Sequence, residues 1–174
     1  MITPVERIRI WHCIRTGRRF TCADVANRLD CSLSVVQKYV QSLHIEGILE
    51  FLNYDKHGSF IYSVAKDYRR QLRPPLVDFD STREKLWLTM RLFRSFTVES
   101  LQTSVGCSKS SVHKFLRRLA VVGVIRRESP ERFDVKNDSD RYSLILDLGA
   151  LPPVFAVDGL VLDSNTGVFL EAKE

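Results

Sequence analysis

Apolar side chains recur at three- and four-residue spacing through the first forty-odd residues, which predicts short amphipathic helices and not strands. Val5, Ile8, Trp11 and Ile14 trace one buried stripe along a helix running from Pro4 to Thr16. Thr3 stands where a cap is needed, Glu6 follows at capping-box spacing, Pro4 suits the first helical position, and Gly17 ends the run. A second helix opens at Thr21 with Asp24 three residues on, and turns Val25, Ala26 and Leu29 inward. After the Asp30-Cys31-Ser32 turn, a third helix starts at Leu33 or Ser34. It reaches Leu43 with Val36, Tyr39, Val40 and Leu43 inside. Beyond Gly47 the period shortens to that of strands: residues 48–53 and 60–65 form a hairpin closed near His57-Gly58.

The whole pattern then repeats. An offset of 76 residues (96 − 20) lays Phe20-Thr21 on Phe96-Thr97, Cys31-Ser32 on Cys107-Ser108, and Gly47 on Gly123. The same offset matches Arg7, Trp11, Arg15 and Arg18 to Arg83, Trp87, Arg91 and Arg94. No gap is needed from residue 7 to residue 49, so the chain reads as a duplicated unit of two small domains. In the second copy Ser81 or Thr82 caps a helix carrying Leu86, Trp87, Met90 and Phe93. Thr97 caps the next, with Leu101 and Val105 inward. The third helix of this copy, Ser108 to Gly123, buries Val112, Phe115, Leu116, Leu119 and Val122. Tyr62-Ser63 matches Tyr142-Ser143 at an offset of 80 (142 − 62), so the second hairpin is four residues longer at its tip.

Two stretches fall outside the repeat. Residues 66–80 are basic in their first half, and Pro74-Pro75 favours an extended spacer, either solvated or adding contacts to a nucleic-acid backbone. Residues 147–174 are apolar, turn-rich and acidic, with three short strands expected around 154–157, 159–162 and 167–170. That extension either packs on the second domain or meets a second copy or another protein. The expected division is therefore 1–65, 66–80, 81–146 and 147–174, in a mainly α fold with small β-hairpins (α+β).

Helix, helix, helix, hairpin, with a three- to four-residue turn before a cationic or amide-bearing third helix, resembles the winged helix-turn-helix superfamily in tandem. The resemblance covers residues 4–65 and 82–146 and rests on pattern and duplication. It implies that each third helix enters the major groove of duplex DNA while the hairpin reaches backbone or minor groove. By position, Ser34, Gln37, Lys38 and Gln41 in the first copy and Ser110, His113, Lys114 and Arg117 in the second become the candidate readers. Lys109 and Arg118 lie beside them. Lys56 and His57 stand at the first hairpin tip, and Arg132 and Lys136 at the second.

Charge sharpens this picture. The net +5 splits into +9 over residues 1–146 (25 bases, 16 acids) and −4 over 147–174 (one base, five acids), so the repeated body suits a polyanion. The third helix of the second copy has several cations where the first has only Lys38, so the second copy should dominate affinity. Gln37 and Gln41 suit adenine edges or a protein contact.

Other chemistries find little support. Cys13, Cys22, Cys31 and Cys107 form no CxxC pair and read as reduced core residues, and the four histidines are scattered. Asp163-x-Asn165-x-Gly167 matches the start of a calcium loop, but Val168 occupies the position its glycine requires. No phosphate-binding, dinucleotide or hydrolase motif occurs, so neither an enzyme nor a cofactor nor a metal is expected. No apolar run is long enough for a membrane span, and the expected compartment is the cytoplasm. The function expected is a sequence-specific transcriptional regulator on double-stranded DNA. The alternative is a protein-assembly or chromosome-organisation adaptor that binds proteins through the same surfaces.

Overall fold

A computed structural model describes residues 2–128, 140–157 and 159–172. The fold is mixed α and β, and divides into two compact units. One comprises Met1–Asp78 with Thr166–Val168, the other Phe79–Asn165 with Phe169–Glu174.

In the first unit three helices precede a hairpin. Helix α1 (Pro4–Arg15) begins with the capping box of Thr3 and Glu6, and α2 (Cys22–Leu29) with that of Thr21 and Asp24. Helix α3 (Leu33–Ile45) runs two residues past the sequence reading and ends where Gly47 takes a positive φ of 70°. Strands β1 (Leu49–Tyr54) and β2 (Phe60–Val64) pair antiparallel. Ile10, Trp11, Ile14, Val36, Tyr39, Val40 and Leu43 share one core with Leu49 and Val64. The ladder slips between Phe51 and Asn53, leaving Leu52 as an extra residue. That bulge rephases the strand, so Phe51 and Tyr54 fall on the same face opposite Tyr62 and Phe60.

Residues 66–78 are not an extended spacer. After a 3₁₀ turn at Lys66–Tyr68, Pro74, Pro75 and Val77 are buried against the first unit. Carbonyls of this segment serve side-chain donors on α1 and α3. Trp11 Nε1 donates to Gln71 O at 3.0 Å, Tyr39 Oη to Pro75 O at 2.7 Å, and the Arg7 guanidinium to Leu76 O. Burial pushes the Tyr39 phenol far above its ordinary range and keeps it a neutral donor. Leu76 adopts a left-handed φ of 58°, which costs a residue with a side chain roughly 1–2 kcal/mol. The bonds to Pro75 and Leu76 hold it there.

The second unit repeats the order. Helix α4 (Ser81–Phe93) is capped one residue earlier than its serine and threonine suggest, by the Asp80 carboxylate accepting from Arg83 N. Phe93, at its last position, is exposed and outside the core stripe. Strand β3 (Ser95–Thr97) leads into α5 (Val98–Val105), then α6 (Lys109–Val121), β4 (Ile125–Arg127) and β5 (Arg141–Leu144). The sheet order is β3-β5-β4, so a short third strand joins the expected hairpin. In the first unit the Phe20–Tyr62 bridge marks the same place.

The C-terminal extension adds β6 (Val154–Phe155), β7 (Val161–Asp163) and β8 (Val168–Leu170) in that sheet order. Val161 is buried in the core around Trp87, and Phe155 and Leu170 pack on it, so the extension is structural to the second unit. Trp87 Nε1 donates to Gly149 O at 2.8 Å, as Trp11 does to Gln71 in the other copy. The Asp163 carboxylate turns inward to accept from Asn165 N at 2.8 Å.

Asp147 fastens the start of this extension to α4. Its carboxylate accepts from Arg91 Nε at 2.6 Å and Arg94 Nη2 at 3.1 Å, and from Gly149 N at 3.1 Å. Asp147→Asn is expected to cost the second unit about 1 kcal/mol, discounted because the side chain is a quarter exposed. The Arg91 hydrogen bond holds the carboxyl below the usual carboxylate range. A lowered folded-state pKa makes this contribution complete above the unfolded value near ~3.9 and removes it as pH falls through the folded one. Denaturant titrations should therefore separate wild type and variant at neutral pH and bring them together in strong acid. A gap of constant size across the series would rule this role out.

Candidate nucleic-acid interface

A helix packed on a core along one side presents its opposite side to solvent, and on α6 that side is cationic. Val112, Phe115, Leu116 and Leu119 are buried, which points Ser110, Lys114, Arg117 and Val121 directly away from the core. His113 is exposed on one flank of this row. Ser108 caps the helix by accepting from Ser111 N at 3.2 Å. Lys114 and Arg117 make no ion pair among the described residues.

The two other cations predicted here are already engaged. Lys109 Nζ lies 3.2 Å from Glu99 Oε1, an exposed pair that salt screens readily. Arg118 is half-buried on the opposite flank. It donates to Ala156 O at 3.4 Å, and its guanidinium carbon lies 5.0 Å from the Phe155 ring centroid.

On α3 the equivalent face carries Ser34, Gln37, Lys38 and Gln41, all exposed, and ends at Ile45, which is 74% exposed. Ser34 Oγ is 2.9 Å from Ser32 Oγ. This face has a single cation, with a large apolar residue at one end.

The first hairpin tip holds Lys56 and His57, both exposed, beside a carboxylate that sequence reading passed over. Asp55 Oδ1 accepts from Ser59 N and His57 N, each at 2.8 Å. Those amides, Ser59 first, hold its carboxyl below the ordinary range, so a carboxylate stands beside Lys56 at the tip. Arg132 and Lys136 lie outside the described residues.

The second hairpin base supplies three arginines absent from the predicted set. Arg126, Arg127 and Arg141 are all exposed, and Arg127 pairs with Asp140. Strand alternation around Ile125 and Tyr142 marks Arg126 and Arg141 as outward, whereas Arg127 falls on the face of Ile125 and is not marked by it.

The first hairpin instead exposes aromatic rings. Phe51, Tyr54 and Phe60 are 40%, 59% and 51% exposed, and their centroids lie 5.1 to 5.6 Å apart. Tyr62 continues the group toward Phe20 and His44.

All four cysteines are free and half-buried. Among the described residues no helix is long and apolar enough to cross a membrane, and no three metal-ligating side chains converge.

By sequence, the chain matches no protein family and no curated protein. Among solved structures, it is similar to a chain of the endosomal complex ESCRT-II at 10% identity and a TM-score of 0.30. That match covers 79% of this chain and 61% of that one. A hypothetical protein from Pyrobaculum spherical virus aligns at 15% identity and a TM-score of 0.31, over 80% of this chain and 94% of that one. ScpB from Mycobacterium tuberculosis aligns at 11% identity and a TM-score of 0.30, over 83% and 92%. At these scores the likenesses carry no weight in the functional argument.

Proposed function

We propose that the protein binds duplex DNA as a sequence-specific transcriptional regulator, with two tandem winged-helix readers of unequal strength. The observation that carries this reading is the outward row of α6, where Lys114 and Arg117 stand exposed and unpaired among the described residues beside Ser110 and His113. Such a row offers cations for phosphates and hydrogen-bonding groups for base edges on one helix of groove-sized diameter. The first unit, with Gln37, Lys38 and Gln41, adds contacts of lower charge. Tethering makes its engagement intramolecular once the second unit has bound.

One observation favours a second reading, a protein-assembly adaptor. The exposed Phe51, Tyr54 and Phe60 group is the kind of aromatic patch that anchors protein interfaces.

Selection of bound fragments from a random duplex pool decides between them. An enriched motif, lost as salt rises, is the expected result. Retention without enrichment would make the protein an architectural binder. No retention even near 50 mM salt would remove DNA as the partner and leave the adaptor.

A further inference from the structure

The corner between the first and third helices is filled differently in the two units. In the first unit the chain itself closes it. Pro75 is buried there, Tyr39 Oη binds Pro75 O at 2.7 Å, and the Arg7 guanidinium binds Leu76 O. The repeat puts Phe115 in the place of Tyr39 and Arg83 in the place of Arg7. No carbonyl meets the Arg83 side chain among the described residues; its guanidinium carbon instead lies 5.3 Å from the Phe155 centroid. The corner of the second unit remains a cleft of about 690 Å³.

This cleft has a distinctive lining. Leu86, Phe115 and Phe155 give it an apolar floor, with Phe115 and Phe155 centroids 5.5 Å apart. Arg83, Lys114, Arg117 and Arg118 surround that floor. The one carboxylate among the described lining residues, Asp80, is committed to capping α4 through Arg83 N. Two guanidinium groups therefore converge on one phenyl ring, at 5.3 and 5.0 Å, with no carboxylate paired to either among the described residues.

We propose that the cleft binds a small organic anion whose carboxylate, sulfonate or phosphate sits between Arg83 and Arg118 while an aromatic or branched apolar body covers the floor. Volume, charge and floor together select this class. Clefts of roughly 300–1,000 Å³ hold ligands of drug size. Arginine pairs bind oxyanions with short, directional hydrogen bonds. An inorganic anion leaves the apolar floor wet, and a neutral hydrocarbon leaves the converged cations unanswered. The floor is where the first unit lays down its own Pro75 and Leu76. The binding claim does not rest on the DNA reading. Where that reading holds, Lys114 and Arg117 serve both sites, and an occupied cleft weakens duplex binding.

The test is a fluorescence titration of the full chain, free of nucleic acid, with 1-anilinonaphthalene-8-sulfonate and with uncharged N-phenyl-1-naphthylamine. The sulfonate should bind saturably at one site, and the neutral amine about tenfold more weakly or worse. Arg83→Gln with Arg118→Gln should weaken the sulfonate by about tenfold or more while sparing the amine. Val121→Trp places bulk at the mouth from an exposed helical position, so it blocks the cleft in a chain that still folds. It should weaken both probes. Sulfonate affinity unchanged in both variants, or equal affinity for the two probes, overturns the proposal. A duplex that binds but fails to displace the sulfonate would leave the cleft standing and count against Lys114 and Arg117 as its DNA contacts.

Discussion

Replacing Lys114 and Arg117 together by alanine is expected to weaken duplex binding about 60-fold near 0.1 M salt and to reduce the salt slope by about 1.8. Both figures follow from counterion release. Each cation on a B-DNA phosphate contributes about 0.9 to the slope of log affinity against log salt, or roughly eightfold at 0.1 M. Both side chains are exposed on the face of α6 opposite Val112, Phe115, Leu116 and Leu119, so truncation leaves the core intact. Alanine is also the best helix former, which keeps α6 in place. Lys38→Ala in the first unit removes one cation, and its slope change should not exceed about 0.9. Gel-shift titrations at four salt concentrations measure all three quantities. An unchanged affinity and slope in the double variant would remove α6 from the interface.

The helices and their caps were legible because their causes are local. The boxes at Thr3 and Thr21 need only residues three positions apart, and the turn at Gly47 needs only a residue that tolerates a positive φ. The outward row of α6 follows from the same periodicity as its buried stripe.

What escaped sequence reading depends on partners far along the chain. Pro74 and Pro75 read as a spacer because proline-rich segments are often extended and solvated. Here the buried indole of Trp11 and phenol of Tyr39 need acceptors, and carbonyls 60 and 36 positions later supply them. No local pattern encodes that demand. Arg118 shows the same dependence. Its helical position places it on a flank, but whether that flank is open is decided by Phe155 and Ala156. The aromatic face of the first hairpin was hidden for another reason. Strict alternation puts Phe51 and Tyr54 on opposite sides, and only the bulge at Leu52 brings them together.

Each unit has one tryptophan at the centre of its own core, and this makes their stabilities separately measurable. Trp87 is fully buried with Leu86, Met90, Leu101, Leu116 and Leu119, and its N–H meets Gly149 O. Trp87→Ala is expected to cost the second unit about 3–5 kcal/mol, from lost burial, an unfilled cavity and an orphaned carbonyl. Small domains have about 5–15 kcal/mol in all, so the second unit should lose most of its margin and melt first. Trp87→Phe keeps most of the ring but not the donor, and should cost only about 1–2 kcal/mol. In both variants Trp11 is the remaining tryptophan, and the core around it shares no residue with that around Trp87. Its emission should therefore report an unfolding transition at the wild-type position while far-UV circular dichroism gains an earlier one. If the Trp11 transition falls by the same amount, the two cores do not carry separate stabilities. Tight duplex binding should vanish in Trp87→Ala at temperatures between the two transitions, because α6 is then unfolded while α3, with one outward cation, remains.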